Sequence, residues 1–118
     1  MKHYFKIVII FLVSTIFILT TGCKITAEKR AEALNNFALM CADKDVWKEA
    51  EYRLRQAIDL KPEDARLHNN LGIVLEAQGK LKEALNEYKK ALSIEPDNKI
   101  IKRNLKEFIN AHKIEVDN

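Results

Sequence analysis

The side chains in this sequence best placed to do chemistry are amides. Asn36, Asn70 and Asn104 stand 34 residues apart, and a carboxamide can donate and accept hydrogen bonds at once. A row of them suits hydrogen bonding better than catalysis. Groups for bond-making chemistry are sparse. Beyond residue 22 the only serine is Ser93, and the repeat frame separates His68 and His112 from Cys41, so no nucleophile and base pair is specified. The sequence contains no C-x-x-C, no H-E-x-x-H and no glycine-rich phosphate loop, which points away from an enzyme and implies no cofactor and no metal. Cys41 falls on an apolar helical face and reads as a small buried hydrophobe.

The 34-residue spacing extends to the elements that must carry these amides. Pro62 and Pro96, Ala50 and Ala84, Ala57 and Ala91, and Leu54 and Tyr88 all share it. Apolar residues at three and four residue intervals predict helices over about 28–42, 46–60, 65–78 and 81–94, with a further one over 99–113. Leu34, Phe37, Ala38 and Cys41 define the inner face of the first, and Leu67, Leu71, Gly72, Ile73 and Leu75 that of the third. Alanines at 50, 57, 84 and 91 let helices approach closely, and Pro62 and Pro96 prevent simple continuation into the next helix. Asp64 is placed to cap the third helix, and Asp45 and Gly79 fall where a left-handed residue would end the first and third. The last helix, with Ile101, Leu105, Phe108 and Ile109 on one side and Lys99, Lys102, Arg103, Lys106 and Lys113 on the other, reads as a cap over an otherwise exposed apolar end.

The pattern His68-x2-Leu71-Gly72-x2-Leu75, then Gly79, Ala84-x3-Tyr88, Ala91 and Pro96, resembles a tetratricopeptide repeat, with His68 and Leu75 where that family has aromatic residues. The resemblance implies an all-α array of antiparallel helix pairs: a first repeat at 31–64, a second at 65–98, a capping helix at 99–113 and a tail at 114–118. It also implies a non-catalytic role in binding proteins, with the asparagine row toward a concave inner surface where amides can bond to an extended peptide. The same row could instead support the helix pairs. Arg66, Arg103, Asn69 and Ile73 lie around the row by the family's geometry. The two arginines could clamp a carboxylate or pair with Glu32 or Glu76. Two repeats make a short array, so self-association through exposed helix faces is a second expectation.

The chain's 118 residues allow one small domain plus an extension, and 47% apolar with 31% charged residues is a globular composition. Lys2, His3 and Lys6 precede an apolar run from Ile7 to Leu19, short of the roughly 20 residues that a membrane span needs and typical of a signal peptide. The ending Leu19-Thr20-Thr21-Gly22-Cys23 resembles a bacterial lipoprotein signal, implying a leader at 1–22 and lipid on Cys23. An uncleaved anchor or a leader without lipid are the alternatives. Residues 23–30 then form an anchored tether or an early turn of the first helix. By the same resemblance, Lys24 after the cysteine implies a protein facing the periplasm, at the outer membrane if two membranes are present. Its partners would then be the membrane and a protein or peptide of the cell envelope. Lys and Arg number 20 against 17 Asp and Glu, and two of the lysines belong to the leader, so the processed chain is nearly neutral and nucleic acid is not the expected partner.

Overall fold

The computed structural model describes residues 1–114, with the side chains of residues 11–25 excepted. Among the described residues the protein is all α-helical: α1 (Lys2–Ala42), α2 (Trp47–Leu60), α3 (Ala65–Ala77), α4 (Leu81–Ile94) and α5 (Lys99–His112). α1 pairs with α2 and α3 with α4, while α2 against α3 and α4 against α5 join one pair to the next. This is the array that the 34-residue period predicts.

Helix starts follow from capping chemistry. α3 begins at Asp64, whose carboxylate accepts from the Arg66 backbone N–H at 3.0 Å. α5 begins at Asn98, whose side chain accepts from Ile100 N at 3.0 Å and Ile101 N at 3.2 Å. The equivalent position before the first repeat is Arg30, which has no acceptor to offer a free backbone N–H. No proline intervenes either, and the helix runs back without a break to Lys2. Residues 26–30 are therefore helix, continuous with the first repeat. Among the described residues no helix is long and apolar enough to cross a membrane. Cys23, the expected lipid site, lies outside the described side chains.

Helix ends repeat as faithfully. Asp45, Gly79 and Lys113, spaced by 34, all take left-handed backbone with φ of 58°, 74° and 49°. The residue after each donates back five positions: Val46 N to Cys41 O at 2.9 Å, Lys80 N to Leu75 O at 2.9 Å and Ile114 N to Ile109 O at 3.2 Å. Only glycine adopts this conformation without strain, so Asp45 and Lys113 hold it at some cost.

The core is built from small residues facing large ones. Ala38, Ala50, Leu54, Ala57, Leu71, Leu75, Ala84, Tyr88 and Phe108 are buried in one cluster, and Cys41 packs half-buried at its edge. Ala65, Ala91 and Ile101 form a second cluster where α5 meets the second repeat. Gly72 lets α4 approach, because a Cβ there would lie 2.9 Å from the Tyr88 ring. Three expectations need correction. Phe37, assigned to the inner face, is 45% exposed because among the described residues no helix precedes α1 to cover it, Leu34 is only half-buried, and Ile73 is 42% exposed because it faces the open recess between α3 and α5.

Candidate functional site

α1, α3 and α5 lie side by side, so residues at the same place in each repeat form rows across one face. The asparagines make a ladder on it. Asn70 Nδ2 donates to Asn35 Oδ1 at 2.9 Å, and Asn104 Nδ2 donates to Asn69 Oδ1 at 3.0 Å. Each rung joins two repeats. Asn35 and Asn69 are buried, Asn70 and Asn104 half-buried, and Asn36 is exposed at the first helix. A carboxamide has two N–H donors and two acceptor lone pairs, so one rung uses only part of each group's capacity. The ladder thus fixes where the amides sit and leaves polar valence facing outward.

Beside the ladder runs an apolar row. Leu39 and Ile73, again 34 apart, are each 42% exposed, and the third member of the row is Glu107. Between α3 and α5 the face deepens into a recess of about 290 Å³ lined by Ile73, Glu76, Tyr88, Asn104, Glu107, Phe108 and Ala111. Glu76 is held on both oxygens, by the Tyr88 hydroxyl at 2.9 Å and by His112 Nε2 at 2.9 Å. Burial and the neighbouring Glu76 carboxylate both push the Tyr88 hydroxyl above its ordinary pKa, keeping it a donor. Two carboxylates and no Lys or Arg line the recess, which makes it locally acidic.

The two arginines differ in their engagement. Arg66 reaches Glu32 on α1 at 2.8 Å and Asp64 at 3.2 Å, and these bonds raise its already high pKa. It is occupied in bridging repeats. Arg103 is exposed and lies 4.0 Å from Glu107. The arrangement brings Asn69, Asn70, Asn104 and Ile73 together, sets Asn36 and Arg66 at the α1 side, and leaves Arg103 at the outer edge. What the arrangement offers is shape, amides and a mixed-sign rim.

His68 and Glu76 carry interactions that sequence spacing did not reveal. His68 is buried between α3 and α4, with Nδ1 at 2.7 Å from Glu87 Oε2 and Nε2 at 2.8 Å from the Pro62 carbonyl oxygen. Both partners are acceptors, so the geometry suits a ring that donates from both nitrogens. The bond to Glu87 raises the imidazole pKa above its usual value, against burial, which lowers it. An Asn-Asn pair recurring at 35–36 and 69–70 was a visible hint of the ladder, while nothing local linked His68 to Glu87, 19 residues away.

Comparison with known proteins points the same way. A family model described as tetratricopeptide repeat matches residues 65–98, and another described as TPR repeat matches residues 39–79. Over 59 residues the chain is 36% identical to a protein O-mannosyl-transferase of Caenorhabditis elegans, a match taking in 50% of this chain and 9% of that protein. The chain thus spans about a tenth of the curated relative that it matches. Among solved structures it is similar to the NMR structure of the second TPR domain of the human RPAP3 protein in complex with the HSP70 peptide SGPTIEEVD. That likeness has a TM-score of 0.63 and 28% identity, covering 67% of this chain and 66% of the other.

Proposed function

Since the chain belongs to the tetratricopeptide-repeat family through residues 39–98, we propose that it is a non-catalytic interaction scaffold that holds a peptide or helix of a partner against the face of α1, α3 and α5. The observation that carries this reading is the exposed apolar row of Leu39 and Ile73 running beside the asparagine ladder. Apolar side chains left half-exposed in register next to fixed amides provide both contact area and backbone hydrogen bonds for an extended segment. Asn36, Asn69, Asn70 and Asn104 would supply the amides, Ile73 the contact, and Arg66 and Arg103 the rim. The similar human domain is described with an acidic peptide. Here Glu76 and Glu107 line the recess and Arg66 is already paired, which favours a segment of apolar or basic character.

We place this scaffold at a bacterial cell envelope, tethered by lipid on Cys23 after removal of residues 1–22. Acyl chains contribute about 0.8 kcal/mol per buried CH₂, so a doubly or triply acylated cysteine anchors stably. The partner is then a component of an envelope assembly. Self-association by head-to-tail stacking is the weaker alternative. Lys102 and Lys106 occupy on α5 the places that His68 and Gly72 occupy where α3 receives α4, so a further helix would meet exposed ammonium groups.

Two measurements test the proposal. A photo-crosslinking residue at position 73 of the full chain in native membranes should capture a defined partner, and Leu39→Glu should abolish the capture. Crosslinks unaffected by Leu39→Glu would remove the assigned face. Metabolic labelling with an alkyne fatty acid should mark the wild-type chain and not Cys23→Ser, and equal labelling of both would remove the anchor.

A further inference from the structure

The shared register of α1, α3 and α5 makes their exposure directly comparable. Leu71 and Val74 on α3 are 1% and 2% exposed, whereas their equivalents on α1, Phe37 and Met40, are 45% and 57% exposed. The residue types are not the cause, since all four are apolar. The cause is position in the array. Among the described residues α3 is preceded by α2 and α5 by α4, and no helix stands at that place before α1. What lies at this place in the array is visible at α5: Phe108, equivalent to Met40, packs its ring 5.3 Å from that of Tyr88 on α4. Ile101, equivalent to Ala33, packs with Ala91 of the same helix.

The bare edge has a defined shape and sign. A recess of about 320 Å³ there is lined by Arg30, Ala33, Leu34, Phe37 and Arg53. Arg53 spreads its guanidinium 5.2 Å from the Phe37 ring centre and bonds Glu49 at 2.7 Å. The recess lining itself therefore has two guanidinium groups and no carboxylate.

We propose that this edge docks a helix of another protein, one that presents to α1 the face that α4 presents to α5. Its signature is a large apolar residue with alanine three places after, as in Tyr88-x2-Ala91, together with an acidic residue facing Arg30. A second copy fits poorly. Two such edges meeting across a twofold axis would bring like guanidinium groups together. The last described helix of a neighbouring copy, α5, offers Lys102 and Lys106 at the corresponding surface. This surface is distinct from the face proposed above for a peptide and does not depend on it.

The test uses the full chain in detergent micelles and a fluorescent synthetic peptide copying residues 80–95 but carrying Lys82→Glu, Lys89→Glu and Lys90→Glu. Fluorescence anisotropy should show saturable binding, weakened at least tenfold by Met40→Asp, a change at an exposed position. Arg30→Glu, also on the surface, should weaken the acidic peptide and improve binding of the unmodified sequence. Circular dichroism and melting temperature of both variants should match wild type, and a variant that fails this check is replaced by Met40→Ser. Absence of binding, or binding indifferent to position 40, would overturn the assignment. So would a concentration-dependent dimer dissolved by Met40→Asp, which would make the occupant a second copy.

Discussion

Replacing Gly72 by alanine sets helix propensity against packing, and the structure says which wins. In a helix interior alanine is favoured over glycine by up to about 1 kcal/mol. At position 72, however, the new methyl would sit 2.9 Å from Cε1, 3.0 Å from Cδ1 and 3.1 Å from Cζ of Tyr88. Comfortable carbon contacts begin near 3.5 Å, so the ring must retreat by roughly 0.5 Å. It has nowhere to go. Tyr88 is 1% exposed, its ring packs 5.3 Å from Phe108, and its hydroxyl donates to Glu76 at 2.9 Å. Overpacking of this kind costs about 1–3 kcal/mol, and displacing the hydroxyl from Glu76 adds up to about 1 kcal/mol. The net expectation is a destabilisation of about 1–2 kcal/mol, which for a domain of this size lowers the melting temperature by roughly 5–15 °C. Thermal unfolding followed by circular dichroism measures it. The same change in a Tyr88→Leu background should cost much less, because the smaller side chain yields space. A melting temperature that rises in the wild-type background, or an equal loss in both, would refute the account of how α3 and α4 approach.

Three further outcomes follow from the packing and the charges. Ala84→Phe, at a fully buried site between paired helices, should cost on the order of 1–3 kcal/mol in a urea titration, and an unchanged midpoint would contradict the helix frame. His68 has a folded pKa raised by its bond to Glu87, with Lys90 opposing, so its contribution is fully present below the unfolded value near 6.5 and lost as pH rises through the folded one. The urea midpoint should therefore fall as pH rises above about 6.5, a slope that His68→Leu removes. Burial pushes the Glu51 carboxyl up, but hydrogen bonds from Lys80, Gln78 and Arg55 outweigh it and bring the pKa to about 2. Its stabilisation is thus present above about pH 4.5 and lost as pH falls toward 2, so Glu51→Gln should flatten the acid limb of the stability profile.

Capping and periodicity were legible because they act within a few residues of chain. Asp64, the prolines and the alanines spaced by 34 were enough to place α2 to α5 within a residue or two. They also placed the left-handed residues at 45 and 79. That α1 starts before residue 31 had a signal too, in the arginine that stands at position 30 where the later repeats have Asp64 and Asn98, but nothing there marks how far back the helix runs. That signal is an absence, and it shows only when the three repeats are set side by side.

The amino-acid order by itself thus determined the helices, their pairing and the repeat family, since each depends on residue type and local spacing. Only the tertiary structure decided what the repeated positions do. The asparagine rungs join residues 35 apart, one more than the repeat, because they link different places on neighbouring helices. Glu76 collects Tyr88 and His112, and Glu87 collects His68, across gaps that no period marks. Phe37 and Leu71 occupy one repeat position, yet one is exposed and the other buried. Periodicity tells a side chain which way to point along its own helix, but burial depends on whether another helix is there to meet it.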